Sequence, residues 1–161
     1  MSMNKVFAIL LTLMFVFVAQ AQIRVVNYNV AALQGDHESL KQVLTLTSKD
    51  NSHGKALPVS LFLFQEVPES KVKPLHELLG AKYSKGTFTD QNESNRAGAQ
   101  AMFYDSTQLI EVVASHKDIY TGAGRYADRW QLKGVGINKG ISLWVYSAHL
   151  KASKGANNIE Q

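Results

Sequence analysis

The chain alternates between stretches that read at a period of two and stretches that read at the helical period. Residues 23–30, IRVVNYNV, are rich in β-branched and aromatic side chains and predict a strand with Asn27 and Asn29 on one face. Asp36 is placed to cap a helix whose apolar stripe is Leu40, Val43 and Leu44. VSLFLF, residues 59–64, is apolar on both faces and predicts a central strand covered on both sides. A second helix is expected over SKVKPLHELLG, with Pro74 in its first turn, Val72, Leu75, Leu78 and Leu79 inward and Gly80 as the stop. Beyond it the pattern turns to strands: a short YSKGTF, a polar loop, then AQAMFY, LIEVVAS, DRWQLKGVGI and SLWVYSAHL. That order predicts one α/β domain, a mixed sheet with helices on one face.

The first 22 residues stand apart from this pattern. Lys5 precedes an apolar run from Val6 to Val18, and Ala19-Gln20-Ala21 supplies small residues at a cleavage position. Residues 1–21 are therefore expected to be a signal peptide and residues 22–161 the exported domain, secreted or periplasmic. The apolar run would span only about 20 Å as a helix, short of a hydrocarbon core, so no stable membrane span is expected after cleavage. Loss of Lys5 takes the formal charge from +4 to +3, mildly basic and compatible with an anionic substrate. The chain has no cysteine, which excludes a disulfide-stapled minidomain, and 45% hydrophobic with 19% charged residues argues against disorder.

Three polar residues fall at the C-terminal ends of apolar strands, where α/β sheets present functional groups: Asn29, Glu66 and His149. Period two puts His149 on one face with Leu143, Val145 and Ser147, pointing inward if that face packs. Lys151 reads as a solvated side chain, and Arg129 is a weaker candidate for a phosphate contact. GAGRYA, residues 122–127, fits a dinucleotide-loop pattern, but the strand-like alternation after it argues against that use.

In combination these motifs resemble the endonuclease/exonuclease/phosphatase superfamily. IRVVNYNV is similar to its first strand, ending in an active-site asparagine, and LFLFQEV to the strand that presents its metal-binding glutamate. GAQAMFYDSTQLIEV, DRWQLKGV and LWVYSAHLKAS resemble the strands that follow, in the same order. The resemblance implies part of a four-layer α/β sandwich, with the second sheet and its helix layer missing. One sheet alone would expose an apolar inner face larger than soluble monomers tolerate, so a dimeric or aggregating chain is expected.

The resemblance further implies Mg²⁺, with Mn²⁺ or Ca²⁺ as alternatives, held by Glu66 with Asn29 beside it, and His149 touching the scissile phosphate. The implied reaction is in-line attack of water on a phosphodiester. Nucleic acid is the first substrate expected and a phospholipid, as in sphingomyelinases, the alternative; no protein partner is readable. The family's Gly-Asp-x-Asn and Ser-Asp-His segments, the second of which carries the general base, do not occur in this sequence. A non-catalytic fragment is therefore the contrasting reading.

Overall fold

The computed structural model describes residues 22–52, 54, 56–90, 99–122 and 124–150. The expected signal peptide, Lys151 and the polar loop at 91–98 lie outside them. Strand β1 (Val25–Asn29) leads through a short turn at Ala31–Leu33 into helix α1 (His37–Lys49). Strand β2 (Leu61–Val67), helix α2 (Glu69–Leu79) and strand β3 (Tyr83–Lys85) follow. The remaining strands are β4 (Ala99–Asp105), β5 (Leu109–Glu111), β6 (Lys117–Gly122), β7 (Arg125–Gly134) and β8 (Ser142–Ala148).

The first sheet has the order β1-β2-β4-β3, with β1 parallel to β2 and the other pairs antiparallel. Strand β2 is central because its two faces are both apolar and each has a separate layer to meet. Phe62 and Phe64 pack with Leu44, Val72, Leu75 and Phe103 on the helix side. Leu61 and Leu63 pack with Met102, Leu109, Trp130 and Leu132 on the other. Asp36 caps α1 by accepting from Glu38 N and Ser39 N, and Gly80 ends α2 at φ 87°.

Two expectations change. Pro74 is not in the first turn of α2: the helix starts earlier, after Pro68, whose fixed φ and carbonyl bond from Lys71 N set the entry. The late strands do not extend the first sheet but build a second, antiparallel one around β7. Strand β8 runs along one edge of β7 from Ala127 to Lys133, and β6 and β5 share the other edge. The α/β sandwich holds, but the second sheet, expected to be missing, is present: β5, β6, β7 and β8 form it. The inner face of the first sheet is therefore covered: Leu61, Met102, Trp130 and Leu132 are all buried between the sheets. The large exposed apolar side chains of β8 instead point outward, Trp144 and Tyr146 among them.

The segment KDIYTG, not anticipated as a strand, forms β6. Gly122 and Gly124, at φ 93° and 69°, turn it back onto β7, so GAGRYA closes a hairpin. Gly134, where β7 ends, faces a backbone: a Cβ there would fall 1.8 Å from the Asn138 carbonyl oxygen. Gly134→Ala should cost about 1–3 kcal/mol, read as a lowered thermal midpoint. An unchanged midpoint would show that this turn can give way.

Asp105 closes β4 and organises the turn beyond it. Its carboxylate accepts from Thr107 N and Oγ1 and from Gln108 Nε2, with Lys82 Nζ at 3.4 Å. Burial pushes this carboxyl up, but the Thr107 and Gln108 donors and the Lys82 charge outweigh that and hold it below the ordinary value of 3.8. Its contribution to stability is thus full above the unfolded value and lost as pH falls through the lower folded one. The gap in urea midpoint between wild type and Asp105→Asn should be wide near pH 7 and narrow as pH falls below the unfolded value of about 3.9. A gap independent of pH would remove ionised Asp105 from the account.

Candidate active site

The sheets meet through a line of polar side chains below the strand ends. Along β2, residues 61, 63 and 65 face the second sheet, so Gln65 continues the row begun by Leu61 and Leu63. Its Nε2 donates to Asn27 Oδ1 on β1 and, at 3.2 Å, to Ser147 Oγ on β8. Ser147 in turn donates to Gln100 Oε1 at 3.2 Å. Gln65, Gln100 and Ser147 are all buried, so these bonds form where the sheets exclude water and an unmade partner would be costly. They fix β8 against β1 and β2, and with it the residue two positions past Ser147, His149.

Above this line three predicted residues converge. Asn29 Nδ2 donates to Glu66 Oε1 at 3.0 Å, and His149 Nε2 lies 3.6 Å from the same oxygen. Asn29 is held from behind by Ala31 N, which donates to its Oδ1 at 2.8 Å. His149 is inward, as its face-sharing with Leu143, Val145 and Ser147 predicts.

Glu66 reaches this group only because the backbone breaks its own pattern. Strict alternation would send residue 66 to the helix side with Phe62 and Phe64. Instead Glu66 sits at φ 57°, and the pairing of β2 with β4 shifts register between Phe64 and Val67. The bulge turns the carboxylate toward Asn29 and His149. A left-handed conformation costs a non-glycine residue about 1–2 kcal/mol. Ala31, Ala32 and Leu33, which follow Asn29 after Val30, are left-handed too. Strain gathered on both sides of one carboxylate is the pattern of a functional site.

Beside Asn29 a groove of about 290 Å³ opens, lined by Tyr28, Asn29, Ala31, Asp36 and His37 among others. Arg129 does not join the group. It pairs with Tyr146 in the ladder on the outward face of the second sheet, and its guanidinium lies 4.7 Å from the centre of the Trp144 ring. Period two separates it from Asp128 and Trp130, which face inward. Gln65, Gln100 and Ser147 are the residues that sequence reasoning did not single out as a positioning set; their shared inward parity along β2, β4 and β8 was the available signal.

The mixed sheet, its covering helices and the opposed second sheet form an α/β sandwich, a fold shared with several solved structures. The human Nocturnin catalytic domain superimposes with a TM-score of 0.57 at 20% identity, over 85% of this chain and 52% of that one. An endonuclease/exonuclease/phosphatase family protein from Bacteroides thetaiotaomicron gives 0.55 at 14% identity, over 80% and 51%. A mannosyl-6-phosphatase from the same organism gives 0.55 at 14%, over 80% and 52%. The chain spans about half the length of these structures. No family's sequence profile and no curated protein sequence matches it.

Proposed function

We propose that the protein is an exported, divalent-metal-dependent phosphoesterase that hydrolyses phosphodiesters. The observation that carries the reading is the bulge at Glu66, which turns a carboxylate out of strand alternation and into contact with Asn29 and His149. The fold it shares with phosphatase and nuclease-type structures supports the same class.

The donor set fits Mg²⁺. A single carboxylate is the kind of sparse, hard ligand this ion takes while keeping its remaining positions for water and phosphate oxygens. Glu66 would hold the ion, with the Asn29 amide beside it orienting the carboxylate through Nδ2. When bound, the ion polarises a phosphoryl oxygen and stabilises charge on the leaving oxygen. Mn²⁺ and Ca²⁺ accept the same oxygen donors. His149, whose Nε2 lies 3.6 Å from Glu66 Oε1, would donate a hydrogen bond to a phosphate oxygen bound beside the carboxylate. Asn29 Nδ2 keeps the Glu66 carboxylate in one orientation.

An attacking water also needs a base. Among the described residues, no further His, Asp or Glu forms a three-member group with Glu66 and His149. That observation favours a second reading, in which this polypeptide binds metal and phosphate ester without turnover.

Incubation with Mg²⁺ and, separately, bis(p-nitrophenyl) phosphate, plasmid DNA, sphingomyelin and p-nitrophenyl phosphate distinguishes the readings. Metal-dependent cleavage of the diester and DNA supports the nuclease-like proposal. Cleavage of sphingomyelin alone moves the substrate to phospholipids, and cleavage of the monoester alone rejects a diesterase. Metal binding with no cleavage of any of them leaves the binding reading. Export rests on the leader at residues 1–21; a mature protein beginning at Gln22 in the medium or periplasm is the expected result, and one retaining Met1 in the cytoplasm rejects it.

A further inference from the structure

A second cluster lies on the β6–β7 hairpin, apart from Glu66. His116 and Asp118 are two residues apart and so share a face, and Asp118 pairs directly with Asp128 across the ladder. Asp128 is fully buried there. His116 closes the triangle, its Nε2 3.3 Å from Asp118 Oδ1 and 3.7 Å from Asp128 Oδ2. The three ligand atoms all lie within 4.8 Å of one another.

The histidine supplies the independent observation. Its side chain is 8% exposed, its ring lies against Trp130, and the buried Nε2 has no hydrogen-bond partner among the described residues. The ring nitrogen and the two carboxylates thus present three possible ligand atoms to one point. Ligands about 2.1 Å from a tetrahedral zinc ion stand about 3.4 Å apart, which is the spacing of His116 Nε2 from the two aspartates. One imidazole with two carboxylates also matches the borderline character of that ion.

We propose that His116, Asp118 and Asp128 bind a divalent transition-metal ion of the Zn²⁺ class, separate from the Glu66 site, and that the ion clips β6 to β7. Asp118 is 28% exposed and gives the ion its way in, while Asp128 and His116 hold it from the interior side. An ion that binds only the folded hairpin makes it more stable loaded than empty.

The test strips the protein with chelator, dialyses it against Zn²⁺ and measures retained metal and the thermal midpoint. Wild type and Glu66→Gln should each retain about one equivalent and melt higher than the stripped protein. Asp118→Asn, which keeps the side chain's size at a partly exposed position, should bind about 10–100-fold more weakly, and His116→Ala should retain almost nothing. Circular dichroism of Asp118→Asn checks that its fold persists. Failure of folded wild type to retain zinc would overturn the proposal, as would retention unchanged by Asp118→Asn and His116→Ala. Loss of zinc from Glu66→Gln alone would assign the metal to the other site and overturn it equally.

Discussion

Glu66→Gln should weaken divalent-cation binding by about 100-fold or more while leaving thermal stability nearly unchanged. Replacing even a residue that only orients a metal ligand typically costs about 10–100-fold, and among the described residues Glu66 is the one carboxylate in its group, so the loss should reach the upper end or exceed it. Glutamine keeps the volume and the amide-to-oxygen bond from Asn29, so the backbone at residue 66 stays left-handed. Affinity and stability therefore separate. Titration with Mn²⁺ followed by electron paramagnetic resonance checks the first, and thermal melting the second. Equal affinity in both proteins would remove Glu66 from the site, and a large fall in melting temperature would make it structural.

Trp130→Ala has the opposite signature. Trp130 is fully buried between the sheets with Leu61, Leu63, Met102, Leu109 and Leu132, and its Nε1 donates to Thr87 O at 2.8 Å. Truncation leaves a cavity at the centre of the sheet-on-sheet contact and an unpaired carbonyl, at a cost of about 3–5 kcal/mol. For a domain that is stable by only about 5–15 kcal/mol, this is a large share of the total. Urea unfolding should show a correspondingly lower midpoint. Because His149 is positioned by β8, and β8 packs through this layer, metal and phosphate binding should fall in step with the folded fraction. A cost below about 1 kcal/mol would mean that the second sheet is not held by this residue.

The parts of the fold that were legible in the sequence are those where side-chain period and neighbour agree. β1 is rich in β-branched and aromatic residues, and the double-sided apolar run in β2 announced its central place. Asp36 and Gly80 marked helix ends by their own backbone chemistry. Less was legible where the outcome depends on a distant partner. Alternation says which side chains share a face, not whether β7 and β8 extend the first sheet or oppose it, and the opposed arrangement followed from the need to cover Leu61, Leu63 and Met102. Strand β6 was hidden because KDIYTG is polar at both ends and draws its pairing from the glycine turn.

The site divides along the same line. Asn29, Glu66 and His149 could be named from strand ends, but the turning of Glu66 toward the other two depends on a left-handed residue that no local pattern requires. Arg129 stood next to a plausible motif, and only its parity with Tyr146 shows that it belongs to the outward face. His116, Asp118 and Asp128 are brought together by hairpin register, a relation that emerges only once β6 is recognised as a strand.

The central claim is that Glu66, Asn29 and His149 hold a divalent ion against a phosphate ester. Its most direct test is the ³¹P relaxation of dimethyl phosphate in the presence of protein and substoichiometric Mn²⁺. The account predicts strong paramagnetic broadening when Glu66 is intact and its loss in Glu66→Gln, in both cases in a chain whose second cluster is emptied by His116→Ala. Absence of broadening with Glu66 intact, or broadening that survives Glu66→Gln, would contradict it.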